Sequence, residues 1–364
     1  MQRPLILLVI LALLAGLFPA SVWADEPETA QPELTLQAAV DKALSINKGL
    51  KQAENDLERS KEVRDYLADR IDYVPGSSSA SSGAISSYLK VTSADISRNM
   101  AKRSLAVEQD KVVMSVYKAY NSILDAQEKV RVDELTLQNK QWLRYVATVG
   151  LRVGTIDPVA MVQAETNYTA AETTLEADKK ALDDAYQQLN QLVGLSAEDR
   201  PVLVDVPEIV PMDVKDLEHE VNRKVNASPS VWLSQQEVDV AKLTKSLYDF
   251  TSTSNGEPYE AKKIDVEQKE ISASDTKDQV AELVRTIYYS ATQLEEQYAG
   301  AKEAVRLAEE NQRVAQVKYD AGMATKSDLL SADLALAEAR QSLLNISTKH
   351  QILALAFEKP WAYS

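Results

Sequence analysis

The sequence predicts an all-α protein made of two tandem copies of a long antiparallel coiled-coil helical hairpin, with at most short strands in the linker between the copies. Three observations predict this fold. Only 10 Gly and 3 Phe occur among 364 residues, and Ala, Leu, Gln, Glu and Lys abound, which suits long helices. The chain also repeats itself. A shift of 181 positions lays Leu36, Val40, Leu44, Leu50 and Leu57 on Leu217, Val221, Val225, Val231 and Val238, and a shift of 168 lays Val112, Val116, Tyr120, Gly154 and Ala164 on Val280, Val284, Tyr288, Gly322 and Ala332. Finally, apolar or small residues recur in alternating steps of four and three along Val280, Val284, Ile287, Ala291, Leu294, Tyr298, Ala301, Val305 and Ala308, a heptad seam.

Taken in order, residues 1–24 read as an export signal. Arg3 supplies the positive start, Leu5 to Phe18 the apolar stretch, and Val22-Trp23-Ala24 a small-residue cleavage site. An uncleaved anchor is the other reading, although the apolar run is shorter than the ~20 residues of a spanning helix. The first repeat is assigned to 25–193. It opens with a helix from Leu36 to Leu57, and continues with a long helix from about 94 to 152 and a returning helix from about 158 to 193. Positions 194–214 carry Pro201, Pro207 and Pro211 around the apolar run Val202 to Val206 and read as a linker with one short strand. The second repeat, 215–359, has its long helix at about 263–320, roughly 85 Å at 1.5 Å per residue. Its returning helix runs through Leu329, Ala332, Leu336, Ala339, Leu343, Ile346 and Leu353. Residues 360–364 remain as a tail.

The turns have their own chemistry. Gly154 and Gly322 fall where a long helix must stop, and glycine takes up a left-handed helix end without strain. Asp157-Pro158 then restarts the first returning helix, and Thr325 or Ser327 caps the second. Alanines crowd the returning helices at Ala160, Ala164, Ala170, Ala171, Ala332, Ala335, Ala337 and Ala339, which predicts close helix neighbours on more than one side and hence oligomerisation.

Several function classes drop out. The formal net charge is −15, which disfavours a nucleic-acid partner, because phosphate binding needs a basic face. Without cysteine there are no disulfides, thiolate metal sites or cysteine nucleophiles. His219 and His350 are the only histidines, and neither has the spacing of a metal or catalytic cluster; Ser115-Val116-Tyr117-Lys118 matches a Ser-x-x-Lys motif without its companions. No cofactor and no enzymatic activity are expected.

On these residues the chain resembles the TolC family of outer-membrane efflux channels, through the duplication, the pattern "LQAAVDKALSINKGLKQAENDL" from Leu36 to Leu57, and the tip pattern "VKYDAGMATKSDLLSADLALAEAR" from Val317 to Arg340. The resemblance implies a TolC-like α-helical barrel protomer that forms a homotrimer, sits in the cell envelope, periplasmic or outer-membrane-associated, and meets a periplasmic adaptor (membrane fusion protein) and through it an inner-membrane exporter. It assigns adaptor docking to Val153, Gly154, Thr155, Ala321, Gly322 and Met323, which are equally well explained as plain helix turns. Tyr319 and Asp328 correspond to the entrance gate. The family's second gate aspartate is Ser331 here, with Asp333 on another face, and its linking arginine is Ala324, so Asp328 also reads as a helix-start acid.

One part of the family plan is missing. Each family copy inserts two membrane-spanning strands between its first two helices, and a spanning strand needs ~9–11 residues with an apolar outer face. Tyr73 to Ser87 is Ser- and Gly-rich, and Phe250 to Ala261 is polar with Gly256 and Pro258, so no independent membrane-spanning barrel is expected. The expected function is an extracytoplasmic helical conduit component of an export system. The alternative is a non-transporting envelope scaffold or spacer built from the same hairpins.

Overall fold

The computed structural model describes residues 33–71, 82–248, 250 and 257–363; the leader, residues 1–24, lies outside them. In chain order the elements are β1 (Glu33–Leu34), α1 (Leu36–Ile46), α2 (Lys48–Ala68), α3 (Ser82–Val153), α4 (Pro158–Val193), β2 (Val202–Leu203), α5 (Leu217–Ala227), α6 (Pro229–Ser246), α7 (Tyr259–Asp320), α8 (Lys326–Glu358) and α9 (Pro360–Tyr363). The fold is all-α in two tandem units, α1–α4 and α5–α8, each a pair of short helices followed by a long hairpin. With 72 residues α3 is ~110 Å long, and α7 with 62 is ~93 Å.

Four features differ from the sequence expectation. The first helix of each copy is split, at Asn47 and at its repeat equivalent Ser228, and in both cases the residue that ends one helix is the cap that starts the next. In copy one the Asn47 side chain accepts from Leu50 N at 3.0 Å; in copy two Pro229 enforces the restart. Helix α3 begins at Ser82 rather than near 94, so Ser82 to Ser87 are helical and not loop. Just beyond that stretch hydroxyls turn back on their own helix, with Thr92 donating to the Tyr88 carbonyl and Ser97 to the Ser93 carbonyl, and there α2 lies alongside through an Arg64–Asp95 ion pair at 2.8 Å. The linker strand β2 has its partner outside the linker, in β1, paired parallel with Glu33 opposite Val202. Residues 360–363 are not a loose tail but a helical turn, with Pro360 and Ala362 buried and the Trp361 indole donating to Asp110 at 2.7 Å.

The core sits halfway along the long helices. In copy one Val40 and Ala43 of α1, Val116, Tyr120 and Ile123 of α3, and Leu189 of α4 pack together. The second core uses repeat-related positions: Val221 and Val225 of α5, Val284 and Ile287 of α7, and Phe357 of α8, joined by Met114 of α3. Tyr120 is fully buried, and its hydroxyl donates to the Leu34 carbonyl at 3.0 Å and accepts from Asp205 N at 3.1 Å, so one phenol joins the chain start, α3 and the linker. Burial pushes its ionisation above the usual phenol range. His350, also buried, meets Glu295 at 3.0 Å, whose same oxygen accepts from Met212 N. Tyr120 and His350 are thus both tied into the packing.

Beyond the cores the long helices form a single layer in the order α4, α3, α8, α7. The seam between copies, α3 against α8, is polar: Asn121 donates to Gln351 at 2.8 Å, Thr348 to Asp125 at 3.0 Å, and Asn139 to Ser331 at 3.3 Å. No helix among the described residues is long and apolar enough to cross a membrane.

Candidate functional site

The hairpin tips are built alike. Gly154 has φ 76° and Gly322 φ 71°, and at neither would a Cβ meet anything within 4 Å, so it is backbone conformation and not crowding that calls for glycine. Each closes its helix with the same double bond pattern. Thr155 N donates to the Gly150 carbonyl at 2.9 Å and Gly154 N to Leu151 at 3.2 Å; Met323 N donates to Lys318 at 2.7 Å and Gly322 N to Tyr319 at 2.9 Å. Thr155 adds a side-chain bond to Gly150 at 3.1 Å.

The restarts differ between the tips. Asp157 accepts from Ala160 N at 2.7 Å ahead of Pro158. In copy two Thr325 and Asp328 form a reciprocal capping box, with Asp328 N donating to Thr325 Oγ1 at 3.2 Å and Thr325 N to Asp328 Oδ2 at 2.8 Å. Bonds from the Thr325 backbone and then its hydroxyl hold the Asp328 carboxyl below its ordinary range.

The six tip residues thus fall on two adjacent turns at one end of the layer, and two of them are bare apolar groups: Val153 is 65% exposed and Met323 78%. Tyr319 and Asp328 lie on opposite sides of the second turn, and no hydrogen bond joins them among the described residues. Asp328 is engaged by the cap, Ser331 by Asn139, and Asp333 by Gln312 at 3.0 Å. One tip contact escaped sequence reading: Lys326, the first residue of α8, sits 4.7 Å over the Trp142 ring of α3 and holds the second hairpin to the first. Only proximity in space links positions so far apart in the chain.

No protein-family profile and no curated protein sequence matches this chain. Solved structures do match. The outer-membrane channel OprN aligns over 90% of both chains with a TM-score of 0.66 at 13% identity. The Campylobacter jejuni outer-membrane channel CmeC aligns over 90% of this chain and 85% of its own, with a TM-score of 0.66 at 12% identity. For the Vibrio cholerae outer-membrane protein VceC the figures are 90%, 97% and 0.62 at 14% identity. With the duplicated hairpins and matching long-helix layer, the chain has the TolC-type fold of the outer-membrane efflux channels.

Proposed function

We propose that this chain is a non-enzymatic, exported helical conduit component of an efflux system. In this reading it acts as a homotrimer in the cell envelope, and its hairpin tips dock to a periplasmic adaptor that links it to an inner-membrane exporter. The observation that carries the reading is the pair of like-built turns at one end of the layer, presenting Val153 and Met323 to solvent. Val153, Gly154, Thr155, Ala321, Gly322 and Met323 would form the docking end, and Tyr319 and Asp328 the entrance positions. Crosslinkers at Thr155 or Met323 are expected to capture an adaptor in cells, while capture from mid-helix positions alone would refute docking by the tips.

Ring closure has support in the repeat. The layer ends in two open edges, α4 and α7, and the duplication relates the intact α3–α8 seam to a junction of α7 with α4 of another copy. Asn121, Asp125 and Asn139 correspond to Tyr289, Gln293 and Leu307. Their α8 partners Gln351, Thr348 and Ser331 correspond to Asp183, Lys180 and Gln163. Tyr289 and Leu307 are both large and exposed, as an unclosed seam requires. Because the chain lacks cysteine, a Leu307→Cys, Gln163→Cys pair should oxidise to a covalent trimer; dimers without trimers would argue against a closed ring.

The connections at the opposite end favour a second reading. Helix α2 ends at Ala68 and α3 starts at Ser82, while α6 ends at Ser246 and α7 starts at Tyr259. About a dozen residues per connection is too few for two spanning strands of ~9–11 residues each. A trimer without a barrel is a spacer or scaffold, or a conduit that relies on another component at the outer membrane. Flotation of the purified mature chain with liposomes as a heat-modifiable barrel would remove that reading.

A further inference from the structure

The first hairpin contains an acid pair, Asp178 buried and Asp133 half-buried, that its copy lacks. Asp133 of α3 and Asp178 of α4 face one another across the helix seam, in the register set by the Lys129–Asp178 and Arg144–Glu165 ion pairs. Lys129 donates to Asp178 Oδ1 at 2.8 Å, but Oδ2 of each aspartate is buried with no hydrogen-bond partner. Asp178 is only 9% exposed. Two ionised carboxylates cannot share such a site with one lysine: like charges would lie side by side, and each bare oxygen would have given up water for nothing. A single proton between them satisfies both oxygens and leaves one negative charge for Lys129.

We propose that Asp133 and Asp178 share one proton, and that this proton is a pH-operated clasp holding α4, one of the two open edges of the layer, to α3. Burial, and then the bond to Asp178, pushes Asp133 up to about 6 from 3.8. The bond from Asp133, and then the one from Lys129, holds Asp178 below its ordinary value. The charges acting on Asp133 come from Lys129 on its own helix and Asp178 on α4. On α8, the register of Asn121 with Gln351 and of Asn139 with Ser331 brings exposed Glu338 level with Asp133. The folded chain therefore keeps a proton that the unfolded chain loses near 3.8. The stabilisation from Asp133 is complete below that value and disappears as pH rises through about 6. The contribution of Asp178 runs the other way, being present above its unfolded value and lost only as pH falls through its lowered one.

The duplication provides an internal control. The positions equivalent to Lys129, Asp133 and Asp178 are Gln297, Ala301 and Ile346, so the second hairpin has a neutral, largely apolar seam where the first has the clasp. The clasp does not depend on the chain being a conduit. If it is one, the edge offered to the next copy changes with pH on one side of each junction only.

Hydrogen exchange of the full mature chain, corrected for intrinsic rates, tests this. Between about pH 5 and about pH 7, amides 174–178 of α4 should lose protection roughly tenfold, each pKa unit being worth a factor of ten, while the equivalent amides 342–346 of α8, which stop short of Thr348 and His350, stay level. Asp133→Asn, whose amide donates to Asp178 at every pH, should flatten the α4 profile. An equal change in both hairpins, or a wild-type profile in Asp133→Asn, would overturn the clasp. Should that variant not fold, the carboxyl carbon resonances of the unmodified chain decide: Asp133 titrating near 6 supports the clasp, and both aspartates titrating near 4 overturn it.

Discussion

The middle of the molecule and its tips are built from the same two helices per copy, yet they bury different things. Around Val116, Tyr120, Ile123 and Leu189 in copy one, and Val284, Ile287 and Phe357 in copy two, the long helices are crossed by α1 or α5 and bury a core beneath them. Some thirty residues further along, Val153, Val159, Val162, Val317 and Met323 stand largely exposed. A two-helix hairpin can bury only the stripe between its helices, whereas a third element laid across it completes a core. The body therefore completes its cores within one chain, and the tips keep apolar surface exposed.

That contrast fixes the order of mutational effects. Leu189→Ala, at a fully buried position, should cost about 2–5 kcal/mol in denaturant unfolding of the mature chain. Tyr120→Phe leaves the Leu34 carbonyl and Asp205 N–H without their partner and should cost about 1–3 kcal/mol by the same measurement. Thr325→Ala removes half of the capping box. A loss of about 0.5–2 kcal/mol is expected, seen as faster hydrogen exchange confined to the first turn of α8. Met323→Ser should change stability by no more than about 0.5 kcal/mol, yet weaken capture of an adaptor from the tip. A Met323→Ser variant as destabilised as Leu189→Ala would mean that the tips, too, are held by this chain alone.

Much of the architecture is legible in the sequence because its signals are local. Gly154 and Gly322 mark their turns by a backbone angle few other residues adopt, Asp157-Pro158 starts α4 where it was expected, and the four-three seam follows the helix period. The split at Asn47 is not legible in copy one, where the cap residue sits in an unbroken helical pattern; its signal is Pro229 in copy two. The helical start at Ser82 runs against the local preference of serine. The Asp133–Asp178 pair joins residues far apart in sequence. Its trace was present nonetheless, since the repeat sets both acids on seam positions filled by Ala301 and Ile346 in copy two. The tip residues stand out as turns, but exposure of Val153 and Met323 follows from what does not pack against them, and a sequence pattern carries no record of that.

The strand pair β1–β2 has a consequence for the order of assembly. Glu33 and Leu34 pair with Val202 and Leu203, and Leu36 N donates to Asp205 at 2.7 Å. During synthesis or export from the amino terminus, the four helices of the first unit can all emerge while its opening strand still waits for the segment that closes it. That long-range closure comes from the linker directly after α4, so the first unit can be completed as soon as Asp205 has emerged, before α5 begins at Leu217.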